Sequence, residues 1–414
     1  MPQTRRSLLA AVCAGFFSGC LRAGTGSEQT ATRTTTETGQ PTSAETPDTE
    51  TAGTETALPT TDQTETEPTP VPPVSFSREW TSFLEVTGSP FVSDGTLYTG
   101  SRNGVRAIDI TDGTERWRTG QNLTNMRGTL ASGSLYYTSL LENGLYRVDA
   151  TSGTTEVTSD VGPAGGPPVV AGDVVVVGTD HNSGDGTSNN LFGLDTADFS
   201  ELWSVSEPYI SYRGGVAVDG QAIVGFGTGT QSRIESRDPT TGAVNWSVDG
   251  YVTAPLTITN GSLYTPVESA GGVELLKIDP ANGTVRWRHR LEKTTDSGII
   301  FTAAPTFVDG RAYLASYKQL HAVDLETGAS IWETETDKPL NASPAVVDDY
   351  VWVAPAAKDG TASNGQLYGF DIETGDLAVQ KQYIPATVGT FAAQGQLLVA
   401  LDNQVRAVTI EATE

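Results

Sequence analysis

Beyond residue 20 this chain has no cysteine; its two are Cys13 and Cys20. A disulfide within the folded region is thereby excluded, as are thiolate nucleophiles and cysteine-based metal sites there. Histidine is nearly as scarce: His181, His289 and His321 share no close spacing, so the sequence shows no histidine cluster for a metal or for catalysis. Positive charge is short as well, with 25 Lys and Arg against 50 Asp and Glu and a formal net charge of −25. A nucleic-acid binder needs a basic footprint, and none is present. The apolar stretch over residues 7–19 is too short for a bilayer, which takes about 20 residues in a helix.

What the chain has is a period. At intervals of 37 to 47 residues it returns to one position, occupied by Trp80, Trp117, Val157, Trp203, Trp246, Trp287, Trp332 and Val379. Eight residues upstream of all but the first stands an aspartate: Asp109, Asp149, Asp195, Asp238, Asp279, Asp324 and Asp371. Strands and turns repeating every 40 to 50 residues or so are the signature of a β-propeller, one repeat per four-stranded blade. The Asp is expected to accept backbone N–H bonds across the Thr-Gly turn that follows it, and the Trp to pack on the adjacent blade.

Each repeat has the same grammar. An inner strand starts near a small residue or Pro and ends in a hairpin turn, as in Ala254-Pro255 to Asn260-Gly261 or Ala304-Pro305 to Asp309-Gly310. Asn-Gly and Asp-Gly supply the positive φ such turns need. A second strand alternates with period two, a third ends in the Asp, and the fourth carries the Trp. The last repeat reaches Val405–Val408 without a Trp strand, and the missing strand stands at the other end as Phe76–Trp80. The expected fold is therefore all-β, an eight-bladed propeller over residues 75–414, closed by a strand at about 76–81 that completes the last blade and leaves no open edge.

Ahead of the propeller lie two segments of different character. Paired Arg5 and Arg6 before a short apolar run resemble a twin-arginine export signal over residues 1–20, and Ser18-Gly19-Cys20 resembles a lipobox in which Cys20 is lipidated. Residues 21–74 are Thr, Glu, Ser, Pro and Gly, a composition that cannot bury enough surface to fold and reads as a disordered stalk. The expected location is extracytoplasmic, on the outer side of the cell membrane. Strong acidity with only six Lys resembles proteins of salt-loving archaea.

The repeat Asp-x-x-Thr-Gly-x-x-x-Trp, with Ala107, Gly193, Ala322 or Gly369 two residues before the Asp, resembles the pyrroloquinoline-quinone (PQQ) type of propeller repeat and covers residues 76–414. Two branches share that repeat: large quinoprotein alcohol and glucose dehydrogenases, and non-enzymatic lipoproteins like the assembly factor BamB. The dehydrogenase branch implies adjacent cysteines over the quinone, long insertions, and calcium ligands on extra loops, none of which matches a position here. The resemblance thus implies the BamB-like branch: a lipid-anchored, non-enzymatic protein-binding or scaffold module, with no cofactor expected. The alternatives are a quinone- or metal-dependent dehydrogenase using PQQ and Ca, and a propeller that binds surface polysaccharide.

Short Asp-to-Trp turns define a plain face, and varied loops open on the opposite face, where function more often sits. The candidate binding residues there are His181, Tyr209, Tyr212, Arg213, His289 and Phe301, since aromatics with Arg are typical interface anchors. Asp180, Asn182 and Asp185 invite a calcium reading, but Gly184 and Leu191 fall at the fifth and twelfth positions and break the EF-hand pattern. His321, in a strand between Leu320 and Ala322, reads as a satisfied fold residue. Asn122, Asn260, Asn282 and Asn341 begin sequons that are candidate glycosylation acceptors; Asn245 begins a fifth and, beside Trp246, is the least accessible expectation. Membrane lipid and an unidentified protein or glycan are the partners expected.

Overall fold

The computed structural model describes residues 74–412 apart from 84–85, 102–103, 121–125, 140–143, 163, 180–188, 208–210, 228–231, 270–271, 292–302, 341, 356–365, 383–386 and 402–403. The described residues form eight antiparallel sheets and no helix. In chain order, blades 1 to 7 span 87–119, 127–160, 169–207, 212–249, 251–291, 306–340 and 345–382. Blade 8 joins 387–412 to the N-terminal strand Val74–Ser82. That closure is antiparallel, from Val74 opposite Ala412 to Ser82 opposite Val405, with a bulge between Arg78 and Trp80.

Two blades modify the four-strand plan. In blade 5 the inner strand is split into Tyr251–Val252 and Thr257–Thr259, both pairing with Ser262–Ser269. Pro255 lies in the gap, where it has no N–H to give a ladder. In blade 6 the second and third strands run together as Arg311–Asp324. Fully extended, a run of that length would span about 45 Å. Yet Leu325 N donates to Gly310 O at 2.8 Å, so the run folds back on itself as a hairpin.

Hydrophobic burial is concentrated between blades. Each of the eight seams has its own cluster of buried side chains, from Leu97, Ile108 and Leu398 between blades 8 and 1 to Trp352, Leu367 and Val399 between blades 7 and 8. The repeated Trp ties the seam. Trp80, Trp117, Trp203, Trp246 and Trp332 donate Nε1–H to the carbonyls of Ile110, Ala150, Pro239, Pro280 and Ile372 of the following blade, at 2.6 to 3.0 Å. Each indole lies over the turn glycine of that blade. At Gly113, with φ of +75°, an added Cβ would sit 2.4 Å from the Trp80 ring, so only glycine fits both the backbone and the contact.

One seam inverts this arrangement. Between blades 2 and 3 the Trp position holds Val157, and the glycine position holds Phe199, in the same left-handed conformation at φ of +58°. Phe199 is buried in one cluster with Val157, filling from the opposite side the space an indole fills elsewhere. A bulky residue in this conformation costs about 1–3 kcal/mol, which the aromatic burial must offset.

The turn aspartates act as expected. Asp149 Oδ1 accepts the N–H groups of Thr151 and Ser152 at 3.1 and 2.7 Å, and Asp238, Asp324 and Asp371 make the corresponding pairs. Hydrogen bonding from these turns, together with Arg116 at Asp109 and Arg286 at Asp279, holds the carboxyls of Asp109, Asp149, Asp238, Asp279 and Asp324 below the usual range. Ile110 N, Ala150 N, Thr196 N and Ile372 N reach back to the hairpin turn of the inner strand, so both kinds of turn share one face. Strand direction then puts Val74 and Ala412 at that turn face and leaves the blade-to-blade connections on the other.

A candidate functional site in the seam between blades 5 and 6

In one seam the residue two after the Trp meets the residue three before the next Asp. Between blades 5 and 6 these are His289 and His321, from the strands Val285–Leu291 and Arg311–Asp324. Their rings stand edge to face with centroids 6.4 Å apart. His289 Nδ1 lies 2.9 Å from the Gly328 carbonyl, and with a proton on Nδ1 it ties blade 5 to the turn of blade 6. Thr334 does the same for the next seam, its Oγ1 donating to Gly375 O at 2.6 Å.

His321 differs from every other polar residue of the repeat positions. It is fully buried, and neither ring nitrogen has a hydrogen-bond partner. Glu333, its cross-strand neighbour, brings Oε2 to 3.5 Å from Nδ1. Gln319, two residues back on the same side of the strand, donates Nε2 to Glu333 Oε1 at 2.7 Å, and its own Oε1 is buried and unpaired. Burial, and after it the proximity of His289, hold the His321 imidazole down at about 4 from an ordinary 6.5. The ring is therefore neutral near pH 7. The expectation that His321 is a satisfied fold residue gives way here to a buried ring with open hydrogen-bonding capacity. Sequence spacing concealed its contact with His289 because residues 289 and 321 belong to different blades.

The remaining candidates divide. His181, Tyr209, Phe301, Asn122 and Asn341 lie outside the described residues, as do Arg5, Arg6 and Cys20. Tyr212 is buried between blades 3 and 4, its hydroxyl donating to Pro167 O at 2.7 Å, so it serves the seam and presents no surface. Arg213 is half-buried, with Nε on Gly227 O at 3.2 Å and its guanidinium 6.0 Å from the Tyr251 ring centre. Asn260 and Asn282 are exposed in turns, and Asn245 is exposed too, because alternation in its strand turns it outward while Trp246 turns in. The low accessibility expected of Asn245 does not hold.

Sequence reasoning also passed over an ionic cluster in the seam between blades 3 and 4. Arg237 occupies the position directly before the repeat Asp, where Ile108, Val148, Leu194, Ile278, Val323 and Phe370 are apolar. Glu235 Oε2 accepts Arg237 Nε and Nη2 at 2.9 and 2.6 Å, and its other oxygen takes Arg233 Nε. Arg237 Nη1 donates to Gly242 O at 2.9 Å, and the Arg233 guanidinium lies 5.0 Å from the Phe226 ring centre. Both Glu235 and Arg237 are buried, and the two Arg237 bonds converge on one carboxylate oxygen. One signal was available: a charge in a strand column that is otherwise apolar.

No group of three or more His, Cys, Asp or Glu side chains converges as a metal site among the described residues.

The chain is similar to several known proteins. A serine/threonine-protein kinase, AfsK of Streptomyces griseus, is 26% identical over 168 residues, covering 37% of this chain and 20% of that protein. The chain thus spans about a fifth of that relative. Its fold matches the crystal structure of BamB from Moraxella catarrhalis with a TM-score of 0.62 and 17% identity, over 82% of this chain and 99% of the other. Quinohemoprotein alcohol dehydrogenase from Comamonas testosteroni matches with a TM-score of 0.59 and 15% identity, over 80% and 76%. At such identities these structures establish the fold. The family model described as outer membrane protein assembly factor BamB matches residues 69–157, 101–263 and 271–413. With nearly the whole propeller matched, the chain belongs to that BamB family of PQQ-type repeat proteins.

Proposed function

We propose that the protein is an exported, lipid-anchored propeller of the cell surface, working as a non-enzymatic scaffold that binds a protein partner on its loop face. One observation carries the reading. The closing strand begins at Val74, opposite Ala412, so both ends of the propeller sit at the turn face. The blade-to-blade connections lie on the opposite face, and loops of that kind are where a partner more often binds. Membership in the BamB family supports a protein partner, and Arg5, Arg6 and Cys20 support export and anchoring. An acidic surface suits a salt-rich exterior, as in halophilic archaea.

Two measurements test this. Replacing Cys20 with Ser should move the protein from the membrane fraction to the medium; unchanged retention would overturn the anchor. Titration of the purified chain with PQQ and calcium, followed by absorbance and dye-linked turnover, should show no stoichiometric complex. A complex with turnover would replace the scaffold reading by a quinoprotein dehydrogenase, and selective retention on a glycan array would replace it by a polysaccharide binder.

A further inference from the structure

We propose that the seam between blades 5 and 6 is an acid-responsive joint, closed while His321 is neutral and loosened when it takes up a proton. The geometry supports this in three ways. First, the usual tie is weak here: Trp287 Nε1 reaches Leu325 O at 3.4 Å, longer than any other Trp bond of the ring. That carbonyl is shared with Lys277 Nζ at 2.7 Å and Tyr264 OH at 3.4 Å. Second, the tie that remains close, His289 to Gly328 O, belongs to the ring that stands edge to face with His321. Third, the ring behind it is buried without partners, so a proton placed on it meets little compensation.

The charged groups around His321 decide the sign. From blade 5 it faces His289, and Lys277 brings a further positive charge to the same seam. Arg288 and Arg290 lie on the exposed side of their strand, with Arg288 at 3.1 Å from Glu274. From blade 6 it faces Glu333, among the described residues the one carboxylate paired with it, and that side chain is 36% exposed and screened by water. Gln319 adds an uncharged acceptor. Burial and His289 hold His321 at about 4, so the folded seam binds the proton less well than an unfolded chain at 6.5. Its stabilising contribution is complete above about pH 6.5 and is lost as pH falls toward about 4. The joint thus weakens in mildly acidic water, well above the range in which most carboxylates titrate.

Hydrogen–deuterium exchange on the full chain tests it at about pH 7 and about pH 5, corrected for intrinsic exchange. Segments 285–291 and 325–335 should lose roughly tenfold or more protection at the lower pH relative to 201–207 and 238–249 of the seam between blades 3 and 4. His321→Leu should abolish that difference. His289→Thr, which copies the Thr334 tie, should keep the seam closed at about pH 7 and make the loss at about pH 5 smaller, because the neighbouring ring no longer opposes the proton in the folded seam. The second variant keeps the test decisive if His321→Leu does not fold. An equal response at both seams, or an acid response in His321→Leu identical to the parent, would overturn the proposal.

Discussion

Glu235 and His321 hold the same place in the repeat, three residues before the Asp, in blades 4 and 6. Each faces the preceding blade, and each puts a polar group where Leu276 of blade 5 is apolar. Glu235 is bound on both oxygens by Arg233 and Arg237, while His321 has no hydrogen bond at all. The first seam is fixed by charge: removing one member leaves buried charge behind. The second stays neutral, and a proton is enough to change it. A single repeat position can therefore make a rigid joint or a responsive one, depending on whether its polar group arrives with partners.

The comparison is best scaled against outright loss of a seam. Cutting the chain before residue 84 removes Trp80 and exposes the strand Gln404–Ala412 as an edge. It should unfold or aggregate the propeller, whereas a cut near residue 70 should leave its melting temperature unchanged. Next in size, Glu235→Ala should cost about 3–5 kcal/mol in denaturant melts, by stranding the buried Arg237 guanidinium and the half-buried Arg233 beside it. Replacing Arg233, Glu235 and Arg237 together by Met, Leu and Leu should restore most of it, which would show that the loss comes from stranded charge and not from the net worth of the ion pairs.

A third test concerns a seam that is neither ionic nor titratable. Val157→Trp should destabilise by about 1–3 kcal/mol, since the added indole meets Phe199. Adding Phe199→Gly should relieve it, giving a clear coupling in a double-mutant cycle. The smallest effect is expected at the responsive joint itself. Trp287→Phe removes an Nε1–H bond of 3.4 Å and Trp332→Phe one of 3.0 Å, so the first should lower stability by a few tenths of a kcal/mol less.

The frame of the molecule was legible because its rules are local. An Asp, a turn and a Trp within nine residues announce a blade, and the unmatched ends announce the closure at Phe76–Trp80, observed as Val74–Ser82. What escaped is contact between repeats. Val157 read as a weak copy of Trp, yet its meaning lies in Phe199 of the next blade. His289 and His321 read as isolated, yet the ring sets them edge to face. Period finding aligns each repeat with the next in sequence and is blind to the surface where one blade touches another. His181, Tyr209 and Phe301, the candidates on the loop face, lie outside the described residues, so their roles rest on residue chemistry alone.

The closing strand also has a mechanical meaning. It runs from the turn face at Val74 toward the loop face at Ser82, with its partner antiparallel beside it. A pull on the chain away from the turn face lies along the strand, so the ladder of blade 8 is strained in shear and its bonds resist together instead of opening one by one. Near the far end of that strand, Trp80 is fastened to blade 1 through Ile110 O, so force applied at Val74 is passed across the first seam. Resistance to tension is set by the unfolding rate and not by equilibrium stability. Tension applied at Val74 is thus met by the same strand that completes the ring.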